Sequence, residues 1–294
     1  MARPVSISIV TPTLNQAATI EETILSVRDQ GYERVDHAVI DGGSTDETVS
    51  ILERYPHLLW VSEPDGGQSD AINKGLRRAG GDVVAYLNSD DVYRPGAFEA
   101  VNQAFQDPEC FVLVGECDVI DAAGKTTGVY LAQLDAREDL LRWWKWNQGV
   151  CIPQPSVFIR RTALESVGLF DVDYHMAMDL EMWMRLAKVF PFTMARKTLA
   201  GFRVTPETKT SRRRADKVLE CDRAARAHID LAPAEARDEL LEELDREAAG
   251  HLLTIADELG DRSVLRKAFS FSGAVAGSGR FWKTLVAPRP RPTA

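Results

Sequence analysis

Apolar positions along the chain change period, and each change marks an element. Val5-Ser6-Ile7-Ser8-Ile9-Val10 alternates with the period of a strand, whereas residues 19–30 carry helical spacing. Thr19 and Glu22 have the separation of a capping box, in which hydroxyl and carboxylate satisfy backbone N–H groups that a helix leaves unpaired. A second strand is predicted over residues 35–40, followed after Gly43 by a helix opened by a similar pair, Ser44 and Glu47. Residues 58–62 read as a third strand, 70–79 as a helix closed by Gly80, and 83–87 as a fourth strand. Strands alternating with helices predict a mostly parallel sheet, with ligands beyond the carboxyl ends of its strands.

After Pro95 the pattern changes. A helix to Phe105 is followed by two strand-like runs, 111–121 and 126–130, around the turn Ala122-Ala123-Gly124-Lys125. That is a hairpin, so the sheet becomes mixed. Residues 156–160 form a further strand candidate. Over residues 179–190, Leu180, Trp183, Met184 and Ala187 follow the i, i+3, i+4, i+7 rule of an amphipathic helix. The compact domain is expected to end near residues 204–210. Residues 212–259 are charged and helix-prone, Pro233 opens a new helix, and Gly260-Asp261 precede a basic tail. The expected organisation is an α/β domain over 1–210 and a helical C-terminal extension with a basic tail over 211–294.

Composition narrows the reading. Hydrophobic residues make up 45% of the 294 positions, enough for a sizeable core. The formal net charge is −9; the seven basic residues from Arg262 onward, with no acid among them, leave −16 on residues 1–261. An acidic main body argues against a nucleic-acid partner. Cys110, Cys117, Cys151 and Cys221 lack the paired spacing of a zinc site and read as buried thiols. No run of about 18 apolar residues occurs, and Met1 to Pro4 leads at once into a strand, so a cytoplasmic location is expected. In the tail, Phe269, Phe271, Phe281 and Trp282 interleave with basic residues. Either it contacts an anionic membrane at the inner face of the cell, or it packs on the domain or stays disordered.

Four strings carry the candidate chemistry. Ser8-Ile9-Val10-Thr11-Pro12-Thr13-Leu14-Asn15, Asp41-Gly42-Gly43-Ser44-Thr45-Asp46 and Leu87-Asn88-Ser89-Asp90-Asp91 resemble, in order and spacing, the family 2 glycosyltransferases. Between them, Ser62-Glu63-Pro64-Asp65-Gly66-Gly67-Gln68-Ser69-Asp70-Ala71-Ile72-Asn73-Lys74-Gly75 resembles the form found in bacterial cell-surface and exopolysaccharide transferases. The resemblance spans residues 5 to 205, roughly, and includes Gln154-Pro155 and Asp179. It implies a GT-A, nucleotide-diphospho-sugar transferase-like mixed sheet flanked by helices. It also implies a nucleotide-diphosphate sugar donor, a sugar or lipid-linked sugar acceptor, and a divalent cation, Mn²⁺ or Mg²⁺.

By that resemblance Asp41 accepts a hydrogen bond from the nucleotide base, and Thr11 and Pro12 line the same pocket. Gln68, Asp70 and Asn73 belong to the donor site, together with Asn88 and Ser89. Asp90 occupies the last, metal-binding position of the aspartate-x-aspartate motif, where Asn88 replaces the usual first acid. Oxygen ligands of this kind suit a hard cation that neutralises a leaving diphosphate. Asp91 is either a second ligand or a cap for the turn before Pro95. Asp179 stands where the family carries its catalytic base, with Met178 in place of a preceding acid; its bland role is to cap the helix. His175 reads as a pyrophosphate or metal contact or as a structural histidine, and Gln154 as a contact to acceptor or sugar. Lys74 reads as a solvated charge, and Trp183 as core.

Trp143-Trp144-Lys145-Trp146 reads either as a platform for a sugar or lipid-linked acceptor, or as the apolar side of a helix starting near Glu138. The family's processive synthases carry a glutamine-x-x-arginine-tryptophan motif and membrane spans that are missing here, so one sugar per encounter is expected. Two other classes stay open at this point. Asn88 and Met178 allow a silent nucleotide-sugar-binding or scaffolding component. A nucleotidyltransferase would need a glycine- and lysine-rich N-terminal loop that this chain lacks.

Overall fold

The first strand, β1 (Ile7–Thr13), is buried at every position and lies parallel between β2 (Val35–Asp41) and β4 (Val83–Tyr86). The structure, a computed structural model, describes residues 3–271 apart from Asn147 and Glu207. An outer strand, β3 (Leu59–Ser62), extends the parallel set beyond β2. Helices α1 (Ile20–Arg28), α2 (Thr48–Leu52) and α3 (Gln68–Leu76) make the connections. All four early strands match the sequence expectation. The two capping boxes do not form. Thr19 donates to the Gln16 side chain at 3.2 Å, and Glu22 instead pairs with Arg203 at 2.5 Å. Ser44 donates to Asp41, and the start of α2 is held by Asp46, which accepts from the Thr48 N–H at 3.0 Å.

Beyond β4 come β5 (Val92–Tyr93), α4 (Ala97–Phe105) and the predicted hairpin, β6 (Val112–Ile120) with β7 (Thr126–Tyr130). Gly124 turns it at a φ of 77°, which glycine adopts without strain. A two-stranded ribbon, β8 (Gln133–Leu134) and β9 (Val150–Cys151), brackets two 3₁₀ turns, Arg137–Leu141 and Trp143–Lys145. Next, β10 (Val157–Arg160) runs antiparallel between β4 and β6, which makes the sheet mixed. Helices α5 (Arg161–Val167) and α6 (Met178–Val189) lead to β11 (Phe192–Arg203), parallel to β6. The sheet order is β3-β2-β1-β4-β10-β6-β11-β5, with β7 paired to β6.

β11 escaped the sequence reading for a physical reason. Its register with β6 shifts between Ala195 and Thr198 and again between Thr198 and Ala200, so no two-residue alternation survives.

The chain ends in α7 (Lys209–Arg212), α8 (Arg214–Ala227), α9 (Arg237–Leu259) and α10 (Arg262–Phe271). Residue 210 is a change of composition and not a break in packing. Met182, Trp183 and Leu186 of α6 share one core cluster with Cys221, Ala224 and Ala225 of α8 and with Leu240 and Leu244 of α9. Burying side chains of this size contributes about 1.5–3 kcal/mol each, so the extension is bound to the sheet domain by its core. Val264, Leu265 and Ala268 of α10 pack on α9 in a satellite cluster, and all four cysteines are buried and free. Phe281 and Trp282, in the tail expected either to contact a membrane surface or to pack on the domain or stay disordered, lie outside the described residues.

Candidate active site

Two clefts adjoin where β1 and β4 end. One, of about 460 Å³, is lined by Pro12, Thr13, Asp65, Gly67, Ser89, Asp90 and Arg203. The other, of about 310 Å³, is lined by Tyr130, Trp143, Trp146, Gln154, His175, Asp179 and Lys217. Gln68, Asn88, Phe202 and Lys209 border both. A glycine is needed at 67, where φ is 115° and a Cβ would sit 3.7 Å from the His175 ring.

The shared wall is a chain of amides. Lys209 donates to the Gln68 carbonyl oxygen at 3.0 Å, and Gln68 donates to Asn88 Oδ1 at 2.7 Å. Asn88 donates in turn to Gln154 at 3.2 Å and Asp91 at 3.3 Å, while Gln154 donates to the Tyr86 carbonyl at 2.8 Å. Asn88 therefore departs from the usual acid because this position must accept and donate at once, beside Asp90 and Asp91. An aspartate here would lose both donated bonds and add a third carboxylate. Asn88→Asp is expected to cost about 1–3 kcal/mol of stability, the range for leaving buried polar groups unsatisfied. Denaturant unfolding measures it, and unchanged stability would mean that the amide chain does not hold the wall.

Asp91 takes neither expected role. It is fully buried, accepting the Arg203 N–H at 2.8 Å, so it anchors the end of β11. Burial, and then the charge of Asp90, push its carboxyl well above the usual range. Asp90 differs: it lines the larger cleft, and among the described residues its carboxylate accepts only from its own N–H. Burial raises its pKa, while that N–H and nearby Arg203 oppose the rise. Arg203 is buried and fixes this loop, donating to the carbonyls of Asp90 (2.8 Å), Asp121 (2.8 Å) and Ala122 (3.1 Å). Sequence reasoning missed Arg203; the signal was a cation closing the apolar run Leu199-Ala200-Gly201-Phe202.

Among the described residues, no cluster of three or more His, Cys, Asp or Glu forms a ready metal cage. One carboxylate facing a cleft fits a hard cation of the kind that takes its other ligands from substrate phosphates and water.

Four residues expected at the donor turn away from both clefts. Thr11 is buried, with its hydroxyl 2.9 Å from His37 Nε2, so of that pair Pro12 alone reaches the cleft. Asp41 is buried and accepts from Ser62 Oγ at 2.6 Å and from the N–H groups of Ser44 (2.9 Å) and Gly43 (3.2 Å), which commits it to the loop after β2. Asp70 accepts the Gly66 N–H at 3.0 Å and so shapes the Asp65-Gly66-Gly67 turn. Asn73 is buried with both ends of its amide on the Phe170 backbone, at 2.8 and 2.9 Å. Lys74 pairs with Glu63 at 3.0 Å.

Asp179 is the second residue of α6; Ala177 holds the cap position. The cap comes from elsewhere. Glu220 of α8 accepts the N–H groups of His175 (2.7 Å), Met176 (2.6 Å) and Ala177 (3.1 Å), tying the extension to the start of this helix. Asp179 Oδ1 accepts the Leu180 N–H at 2.8 Å. Burial raises the Asp179 pKa, against the Leu180 N–H and the charges of Lys217 and Lys209. That is the environment of a carboxylate suited to taking a proton. Trp143 and Trp144 lie in a 3₁₀ turn and Trp146 follows it, with Trp143 and Trp146 on the smaller cleft beside Tyr130. Trp183 is buried in the core and also touches that cleft.

Residues 8–168, more than half of the chain, match the family described as Glycosyl transferase family 2. The chain belongs to that family. Rv1514c of Mycobacterium tuberculosis, an uncharacterized glycosyltransferase, is 30% identical over 207 residues, 68% of this chain and 76% of its own. TuaG of Bacillus subtilis, a glycosyltransferase named for teichuronic acid biosynthesis, is 34% identical over 110 residues, 35% of this chain and 43% of its own. Residues 1–349 of Staphylococcus aureus TarS, solved with UDP-GlcNAc, superpose with a TM-score of 0.63 at 19% identity, over 81% of this chain and 71% of that one. The chain spans 42% of a longer TarS chain. The mannosyltransferase PcManGT of Pyrobaculum calidifontis, solved with GDP-Man and Mn²⁺, gives a TM-score of 0.61 at 19% identity, over 97% and 84%. At these identities the likeness is one of fold, and the fold is GT-A. Asp179, Arg203, Lys209 and Glu220 all lie beyond the family match, so this family 2 member draws much of its candidate site from the less typical half of the chain.

Proposed function

We propose that this glycosyltransferase moves one sugar per encounter from a nucleotide-diphosphate donor to a hydroxyl acceptor, with inversion, in cell-surface glycan or glycolipid assembly. The observation that carries the reading is the placement of Asp90 and Asp179 in two adjoining clefts that share the Gln68–Asn88 wall. The larger cleft suits the donor diphosphate and the smaller one the acceptor. Asp179 is the one carboxylate among the described residues lining the smaller cleft, which favours a single displacement over a covalent intermediate on a second acid. In that displacement Asp179 removes the acceptor hydroxyl's proton as oxygen attacks the anomeric carbon. Gln68 and Asn88 orient the sugar between the clefts, and Trp143, Trp146 and Tyr130 offer faces against which the acceptor excludes water. A divalent cation on Asp90 would supply charge neutralisation for the leaving diphosphate. TuaG's name and the sugar nucleotides bound by TarS and PcManGT support the donor and glycan class.

Product analysis with a panel of nucleotide sugars tests the reading. Release of nucleoside diphosphate with a glycosylated product is expected. Pyrophosphate release would indicate a nucleotidyltransferase, and binding without turnover would indicate a silent scaffold.

A further inference from the structure

Within the acceptor cleft read above, we infer an anion subsite, formed by the ammonium groups of Lys217 and Lys209, that receives a phosphate carried by the acceptor. Lys217 and Cys221 stand one turn apart on α8 and both line the cleft, so the Lys217 side chain is directed toward it while open to an arriving ligand. Its charged neighbours are committed elsewhere. Asp216 pairs with Arg213 at 3.0 Å and Lys267 at 3.4 Å, and Glu220 caps α6. The Lys217 ammonium has no hydrogen-bond or ion-pair partner among the described residues. Lys209, the first residue of α7, borders the same cleft. Lys209 is exposed, and its ammonium donates to Gln68 at 3.0 Å and to the His175 carbonyl at 2.5 Å, with no carboxylate partner among the described residues.

Two cations and one acid, Asp179, thus face a single cleft in a chain whose net charge is −9. Asp179 feels both charges without forming an ion pair with either. Two like charges on one cleft with no carboxylate paired to either repel each other, and a bound anion relieves that cost. Ammonium groups act as point charges and suit a phosphate, whereas a carboxylate is more often met by the flat fork of an arginine. The aromatic rings of Trp143, Trp146 and Tyr130 on the same cleft supply surfaces for a sugar. The chemistry that fits both halves is a sugar bearing a phosphate. The donor's own diphosphate is the weaker candidate, because Lys217 borders only the smaller cleft, beyond the amide wall from Asp90.

The test uses the full chain saturated with nucleoside diphosphate and Mg²⁺ or Mn²⁺, with matched probes: methyl glycosides, glycosyl 1-phosphates and short-chain prenyl glycosyl phosphates. Calorimetry is expected to show the phosphates binding about ten-fold tighter than the methyl glycosides, the scale of one charge-assisted hydrogen bond. Lys217→Met should remove that preference without weakening methyl glycoside or nucleoside diphosphate binding. Both phosphate probes support the subsite; a preference for the prenyl form identifies a lipid-linked source, and equal binding a soluble one. Equal affinity of phosphates and methyl glycosides in the unaltered protein overturns it. So does a nucleoside diphosphate affinity that falls with Lys217→Met as far as the phosphate affinity does. Failure of the transferase reading shows separately, as absent nucleotide-sugar turnover with the phosphate preference still measurable.

Discussion

Asp179→Asn is expected to lower sugar transfer by about 10² to 10⁴, the range for a lost acid-base group, while donor affinity is retained. The amide keeps the shape of the carboxylate and can still accept the Leu180 N–H; only basicity is lost. The helix start stays in place because Glu220, and not Asp179, caps it. Stability gives a second readout. Burial raises the Asp179 pKa in the folded protein, so folding favours its protonated form. Its contribution is fully present below the ordinary aspartate pKa and is lost as pH rises through the elevated folded value. The neutral asparagine has no such loss. Relative to the unaltered protein, the variant should therefore gain melting temperature between acid and neutral pH, a common trade between activity and stability. Near-normal turnover in the variant would assign the proton to another group. Lost donor binding with an intact fold would move Asp179 to the donor side.

Asp90→Ala is expected to abolish the cation dependence of nucleoside diphosphate binding. In the unaltered protein, chelation should weaken binding by about 10²-fold or more, since even residues that merely orient metal ligands are worth 10 to 100-fold. The fold should tolerate the change. Among the described residues no other residue donates to the Asp90 side chain, and its carbonyl, which holds Arg203, survives in alanine. Calorimetry with and without chelator decides, and equal binding in both conditions would remove the cation from Asp90.

Much of this architecture was legible because its elements are locally coherent. β1 through β4, the hairpin around Gly124 and the amphipathic α6 each carry their own period. The glycosyltransferase strings fixed which loops meet at the carboxyl edge, but not which way side chains turn. Adjacent strand residues face opposite sides, so Thr11 points inward to His37 while Pro12 meets the cleft. Asp41 is in register with Ser62 of β3, a partner that becomes visible only once the strands pair. Asn73 falls with Ser69, Ile72 and Leu76 on the buried face of α3, where helical spacing alone would have placed it. The less legible half depends on long-range packing. Arg203 closes a bulged strand, Lys217 and Glu220 reach the site because α8 shares a core with α6, and Lys209 stands on the short α7 just before it.

The central claim is a single in-line displacement with Asp179 as base, and the anomeric configuration of the newly made bond tests it most directly. With a nucleotide-sugar donor of known configuration, proton NMR of the first product should show the opposite configuration. A retained configuration would contradict the account, because one in-line displacement inverts the anomeric carbon, whereas retention needs two successive displacements or attack from the face the diphosphate leaves.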